Sequence, residues 1–236
     1  MKSVSDTAKH LLWRVYGHVY DGLLDFYPYQ LLVRQVADRI PDSSGALLDV
    51  GCGTGNLIAQ ARNKLPTAHL AGVDGSKSML AMAKKKFTND ASITLTHSDI
   101  LAYLRNQPDE QYDVITSVNV IYALGNRDEV WRQLLRIMRP GGKLIIATSV
   151  ATGSGGIIRE HIDHAGFLSL LKPRLMGVFV IDSLINLLGG TGQFEFPDER
   201  QLRNEITRCG GCMSDTVRTY GGPERGVDIL FEVTRS

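Results

Sequence analysis

Leu47-Leu48-Asp49-Val50-Gly51-Cys52-Gly53-Thr54-Gly55-Asn56-Leu57 decides the reading of this chain. The apolar run Ala46 to Val50 has the length of a buried strand, and three glycines at alternate positions follow it. Leu57, Ile58, Ala61 and Leu65 then recur on one helical face. A strand, a glycine turn and a helix bring backbone N–H groups and a helix N-terminus up to a negatively charged group. Gly51 and Gly53 have no Cβ, so a ligand can approach the main chain and the turn can take positive φ. The stretch therefore reads as a nucleotide-like cofactor site, against the plainer alternative of a glycine turn with no ligand.

The spacing narrows the cofactor. A dinucleotide fingerprint runs G-x-G-x-x-G/A. Counted from Gly51 its last position is Asn56, and the third glycine comes one residue early at Gly55. With Asp49 in front, the motif resembles D-x-G-x-G-x-G, the first motif of the class I S-adenosylmethionine-dependent methyltransferases. That resemblance implies S-adenosylmethionine as cofactor, its methionine end gripped by main-chain amides of Gly51, Cys52 and Gly53. Next, His69–Val73 is a short strand ending in Asp74, 19 positions after Gly55. A carboxylate about 20 residues past a glycine loop takes ribose hydroxyls, and its oxygens can accept from both the 2′- and 3′-hydroxyls.

Asp74-Gly75-Ser76-Lys77-Ser78-Met79-Leu80 resembles the family's second motif, D-x-S-x-x-M-L. Met79 either packs in a stripe continuing to Ala83 and Phe87 or touches the adenine. Many family members carry an apolar residue after the acid; here it is Gly75, so another side chain must cover the ribose or adenine. Ile93–His97 alternates as a strand, and Ser98-Asp99-Ile100 follows. The resemblance implies that Asp99 accepts from the adenine amino group and that the Ile100 N–H faces a ring nitrogen. Read alone, Asp99 is a helix cap.

The fourth strand, Tyr112–Ser117, runs into Val118-Asn119-Val120-Ile121-Tyr122. In the family this strand end faces the transferable methyl group, so Asn119 either orients the methionyl portion or holds a substrate, and Tyr122 belongs to the pocket wall. No N-P-P-Y or D-P-P-Y tetrapeptide stands here, which favours an ordinary metabolite as acceptor. A helix is expected over Asp128–Met138, capped by Asn126 and stopped by Arg139-Pro140-Gly141-Gly142 before a fifth strand, Lys143–Thr148. The tail, Thr216–Tyr220 and Val227–Thr234, predicts a closing antiparallel hairpin. In its second strand Val227, Ile229, Phe231 and Val233 alternate with polar residues. A nicotinamide oxidoreductase would also use Asp74, but its sheet would continue in parallel units.

Before the glycine loop, residues 5–40 carry apolar side chains at helical spacing, broken near Pro28. Tyr16-Gly17-His18-Val19-Tyr20-Asp21 is similar to the leading segment of small-molecule methyltransferases, including the ubiquinone/menaquinone biosynthesis type. There a tyrosine before Asp commonly closes over the cofactor, which implies that role for Tyr20.

The chain has 26 basic and 25 acidic residues, so no global basic field gathers nucleic acid. Lys84-Lys85-Lys86 reads as the solvated face of a helix. No signal peptide is evident and no stretch reaches membrane-spanning length. Three cysteines give an odd count, which argues for a reducing, cytoplasmic setting. Cys209-Gly210-Gly211-Cys212 has no second pair to complete a zinc site and is read as small residues in a tight turn, with no metal expected.

Residues 149–213 stand where this fold usually inserts its substrate cover. Leu175 to Leu188 is strongly apolar and suits a lid over a lipophilic pocket first, a homodimer face second and a membrane-surface helix third. His161 and His164 are spaced i, i+3 on one helix face. They are read as a polar outer face of the lid, a metal pair, or candidates for a general base. The expected fold is α/β: a doubly wound, seven-stranded, mostly parallel sheet with the terminal antiparallel hairpin. A helical cap spans 1–45, the cofactor-binding core 46–148, a helical lid 149–213 inserted after strand five, and the closing hairpin 214–236. The expected activity is methyl transfer to an N, O or C nucleophile of a small lipophilic or aromatic metabolite. The alternatives are an NAD(P)-dependent oxidoreductase and a catalytically silent cofactor-binding subunit.

Overall fold

The computed structural model describes residues 20–150, 155–171, 196–224 and 226–236. Its centre is one sheet built on β1 (Ala46–Val50), β2 (His69–Asp74), β3 (Ile93–His97), β4 (Tyr112–Val118) and β5 (Met138–Ser149). Three short or terminal strands follow: β6 (Gly211–Met213), β7 (Val217–Thr219) and β8 (Asp228–Arg235). The order is β3-β2-β1-β4-β5-β8-β6, with β7 also on β8. The first five strands pair in parallel, and β8 lies antiparallel to β5, with Ser149 opposite Asp228 and Leu144 opposite Val233.

β6 and β7 both pair antiparallel with β8, β6 near Arg235 and β7 near Asp228. Because β5 occupies the other edge of β8, these two segments lie end to end along the free edge. The sheet thus holds the expected seven positions with its outermost strand in two pieces.

Parallel strands buried on both faces require apolar side chains pointing both ways. β1 meets this requirement. Leu47 packs with Leu70, Val114 and Ile145 on one face, and Leu48 packs with Ala71, Ile115 and Ile146 on the other. The first face is covered by α1 (Tyr27–Asp38), α2 (Asn56–Lys64) and α3 (Lys77–Lys86). They contribute Leu32 and Val36, Ile58 and Ala61, and Met79 and Leu80. The second face is covered by α4 (Ile100–Arg105), α5 (Arg127–Ile137) and α7 (Glu199–Arg208), through Leu104, Trp131, Leu134, Leu202 and Ile206. Each such aliphatic burial contributes about 1.5–3 kcal/mol. α6 (Gly155–Ala165) packs on α1.

Several local expectations change. The break expected near Pro28 falls at Phe26, and Pro28 itself sits in the first turn of α1, where a missing N–H costs no hydrogen bond. Asn126 precedes α5 in a left-handed conformation and makes no side-chain cap. The Arg139–Gly142 segment lies within β5 as a bulge, since Tyr112 pairs with Met138 but Val114 with Lys143. The insertion expected over 149–213 ends earlier. α7 buries Leu202 and Ile206 against the sheet, and Gly211–Met213 is a strand of it. Leu175 to Leu188 lies outside the described residues.

A buried ion pair ties α7 to α5. Arg127 Nη2 donates to Glu205 Oε1 at 2.9 Å and its Nε to Oε2 at 3.1 Å, while Trp131 Nε1 donates to Oε2 at 3.2 Å. Burial alone would raise the Glu205 pKa, but these donors hold it below the usual carboxylate value. Removing one partner of a buried pair leaves the other desolvated without it. Glu205→Ala is therefore expected to cost about 3–5 kcal/mol in urea unfolding, and Glu205→Gln, which keeps an acceptor, clearly less.

Candidate active site

The strand order reverses between β1 and β4, and ligands of open α/β sheets bind in the crevice beyond the strand ends at such a point. Here the crevice rim is the turn Gly51–Gly55. Gly51 takes φ 73°, and a Cβ on it would lie 2.2 Å from Val120 Cγ2, so the segment after β4 is seated directly against the turn. Gly55 takes φ 81° and starts α2, and a Cβ there would lie 2.6 Å from Phe87. Only glycine combines that backbone with that proximity.

The amides of this turn do not face a ligand. Gly51 N–H and Cys52 N–H both donate to Val73 O, at 2.8 and 3.1 Å. Gly53 N–H donates to Asp74 Oδ2 at 2.8 Å. The expectation that these three amides grip the methionine end is therefore corrected, because each N–H has one hydrogen and spends it on β2. Helix α2 offers amides of its own one step further on. The first N–H groups of a helix have no intrahelical acceptor, and α2 begins at Asn56 with no side-chain cap. Asn56 is itself fixed, since Lys86 Nζ donates to its Oδ1 at 2.8 Å and its Nδ2 donates to Tyr29 Oη at 3.3 Å. Lys86, read as part of a solvated face, thus reaches the start of α2. Tyr29 and Lys86 were not singled out from the sequence.

Asp74 stands at the end of β2 with both oxygens engaged, Oδ2 by Gly53 and Oδ1 by the Ser76 N–H at 2.7 Å. Each carboxylate oxygen keeps a further lone pair for a ligand hydroxyl. Gly75 has room around it, its imagined Cβ lying 3.9 Å from Ser98 O. His97 Nε2 lies 3.1 Å from Gly75 O, an imidazole beside the uncovered position. Asp99 accepts from the Ala102 N–H at 2.9 Å, so its side chain caps α4. Ile100 is buried at the start of that helix, and Met79 is buried in the α1-side core, which is the packing role. Asn119, just beyond β4, holds φ 57° and donates its N–H to Ala147 O at 2.8 Å. Tyr20 opens a short 3-10 turn, Tyr20–Asp25, and its side chain lies outside the described residues.

The two histidines separate. His161 is 1% exposed. Its Nδ1 accepts the Tyr27 N–H at 3.1 Å, which puts the ring proton on Nε2, 2.9 Å from Ser169 Oγ. His161 therefore pins α6 to the start of α1, and neither nitrogen is left for a substrate. This corrects both the outer-face and the general-base readings for that residue. His164 is exposed and stacks on Tyr27 with ring centroids 3.5 Å apart. It lines a cleft of about 560 Å³ bounded by Tyr27, Arg159, Glu160 and Gly221.

Acidic groups gather beneath the glycine turn. Asp49 is 3% exposed and accepts from Thr116 Oγ1 at 2.8 Å. Burial lifts its carboxyl to about 7, against the Thr116 hydrogen bond and helped by the charge of Asp74. Burial also raises Asp74, partly offset by the Ser76 and Gly53 amides and by His97, and it pushes the Cys52 thiol up. No cation among the described residues contributes to the shift of Asp49. Such a crevice favours a ligand that carries positive charge.

A family model described as a methyltransferase domain matches residues 48–144. Over 139 residues the chain is 33% identical to malonyl-[acyl-carrier protein] O-methyltransferase of Halalkalibacterium halodurans, a stretch that is 56% of this chain and 51% of that protein. Residues 48–144 thus carry the pattern of a methyltransferase domain. Ubiquinone biosynthesis O-methyltransferase of Aeromonas salmonicida is 29% identical over 130 residues, 52% of this chain and 53% of that one. A crystal structure of an S-adenosylmethionine-dependent methyltransferase from Mesorhizobium loti shares the fold, with a TM-score of 0.60 at 19% identity, covering 86% of this chain and 96% of that one. The chain spans about half the length of the curated relatives it matches. The cofactor of the family fits the crevice in chemistry. Its sulfonium and ammonium suit an electronegative floor, its ribose diol suits Asp74, and its carboxylate suits the first turn of α2.

Two consequences are measurable. The folded pKa of Asp49, near 7, lies above its unfolded value, so the native state holds a proton that the unfolded chain has lost. This contribution to stability is greatest below pH 4, declines as pH rises toward 7, and is flat above, spanning a few kcal/mol in order of magnitude. Asp49→Asn, neutral throughout, should remove that slope from urea unfolding compared at pH 5 and pH 8. Separately, His161→Ala should lower stability by about 1–3 kcal/mol and speed proteolytic nicking of α6.

Proposed function

We propose that the chain transfers the methyl group of S-adenosylmethionine to an oxygen nucleophile of a small lipophilic or aromatic metabolite. The observation that carries this reading is the braced Asp74 carboxylate at the end of β2, set beside a glycine turn whose floor is acidic and buried. The bound cofactor supplies an electrophilic methyl on a positive sulfonium. The chain has three tasks: to orient the ribose through Asp74, to shelter the reaction from water, and to hold the acceptor oxygen in line with the methyl group.

Oxygen as the attacked atom is supported by the names of the relatives, malonyl-[acyl-carrier protein] O-methyltransferase and ubiquinone biosynthesis O-methyltransferase. A lipophilic acceptor is supported by the apolar wall on the α1 side of the sheet. Tyr122 and Phe196 stack with centroids 5.1 Å apart, and Ile157, Leu170, Tyr220 and Val227 join the same cluster. Of the two histidines only His164 is exposed and lines a cleft, which supports it as the candidate base. The near-zero net charge supports a metabolite over nucleic acid.

The reading extends to a closing role for Tyr20 and a substrate cover within 149–213. It also includes a reducing, cytoplasmic setting, supported by free Cys52, Cys209 and Cys212. Among the described residues no helix is long and apolar enough to cross a membrane. A homodimer through the insertion is supported by Phe167, Leu168 and Leu171, each more than 60% exposed.

Isothermal titration with S-adenosylhomocysteine and with NADH tests the cofactor: heat with the first and none with the second is expected. Asp74→Ala should weaken S-adenosylhomocysteine binding by about 1–3 kcal/mol, and unchanged affinity would remove Asp74 from the site. Labelled S-adenosylmethionine offered with apolar hydroxylated acceptors and with highly charged ones should mark the apolar set.

A further inference from the structure

A hydrogen-bonded chain runs from the end of β4 to the start of β8 and is used by nothing described so far. Ser149, the last residue of β5, is paired across the sheet with Asp228, the first residue of β8. Ser149 Oγ lies 2.6 Å from Asp228 Oδ1 and 3.5 Å from the amide oxygen of Asn119. Asp228 is fully buried, while Ser149 and Asn119 are half-buried at the crevice end of the sheet.

A serine hydroxyl has one hydrogen to give. At 2.6 Å from a carboxylate oxygen the bond is of the short, charge-assisted kind, whereas 3.5 Å is at the limit of a hydrogen bond. The proton therefore belongs to Asp228, and Ser149 turns lone pairs toward Asn119. Lone pairs facing an amide oxygen repel it, and lone pairs facing an amide nitrogen bind it. Turning the amide by 180° exchanges the two within the same shape. Asn119 Nδ2 then donates to Ser149 Oγ, and Oδ1 points to the opposite side.

That side is defined by the sheet. β4 lies between β5, which carries Ser149, and β1, which carries the glycine turn. Val120, the next residue, touches Gly51. The left-handed φ of Asn119, uncommon outside glycine, is held by its N–H bond to Ala147. We propose that Asp228 and Ser149 are positioning residues that lock the Asn119 amide with its oxygen toward the glycine turn, where it accepts from the ammonium of the cofactor's methionyl end. The assignment rests on the methyltransferase reading.

The test compares two ligands of the 236-residue chain by isothermal titration. S-adenosylhomocysteine carries the amino-acid end, and 5′-methylthioadenosine lacks it. Ser149→Ala and Asp228→Ala should each weaken S-adenosylhomocysteine binding by about tenfold, the scale of one hydrogen bond to a charged group. Both variants should leave 5′-methylthioadenosine within twofold of wild type. Ser149→Thr, which keeps the hydroxyl, should restore most of the loss. Equal weakening of both ligands, or unchanged affinity for S-adenosylhomocysteine in a folded Ser149→Ala protein, overturns the assignment. Wild-type protein that binds neither ligand overturns the methyltransferase reading, and this inference with it.

Discussion

The carboxylate of Asp74 is the point on which the rest of the crevice depends. One oxygen takes the Gly53 N–H and the other the Ser76 N–H, so a single side chain joins the glycine turn to the start of α3. Without those acceptors two loop amides beneath a buried surface would lack partners, at a cost of about 1–3 kcal/mol each. The same bonds fix where the carboxylate stands before any ligand arrives. A preset acceptor loses little freedom when a ribose diol meets it. Under the proposed function, the group that shapes the turn is also the one that reads the nucleoside.

This arrangement is stable only because it is compensated elsewhere. Asp49, Cys52 and Asp74 crowd together under the turn, and burial opposes ionisation of all three. The surrounding sheet holds them there: Leu48 and Val50 flank Asp49 in β1 and are inaccessible to solvent, and Thr116 on β4 supplies a donor. The protein therefore keeps an acidic patch where a purely structural core would place apolar residues. Sites that break the rules of a stable core, and are supported by what surrounds them, are where function resides. Asn119 in its left-handed conformation is a further case, placed one residue beyond β4, the strand that carries Thr116.

Much of the sheet was legible in the sequence because it is encoded locally. The apolar run 46–50, the alternation in 227–233 and the carboxylates Asp74 and Asp99 at or just after strand ends sit within a few residues of the structure they specify. Helix limits shifted by a residue where capping was misjudged, as at Asn126. What escaped was of longer range. Arg127 meets Glu205 78 positions away, and Ser149 meets Asp228 79 positions away. Such partners are chosen by strand register and helix packing, neither of which leaves a local pattern. The glycine-turn amides failed for another reason. Their spacing announces that main chain comes close to something, but not whether that something is a ligand or the neighbouring strand, and here Val73 and Asp74 take the hydrogens.

The division between legible and hidden follows the division of chemical labour. The cofactor side is built from β1, β2 and the turns after them, where short sequence distances fix short spatial ones. The contacts that brace the crevice from outside are drawn from the far ends of the chain. α1 supplies Tyr29 against Asn56, α6 is pinned to α1 by His161, and the last strand brings Asp228 beside Ser149. β8 can do this only because it runs antiparallel to β5: its first residue, not its last, lies at the crevice end. A further parallel strand in that position would place its N-terminal residue at the opposite edge. The reversed strand therefore does more than close the sheet, since it is what allows a residue late in the chain to reach the end of β4.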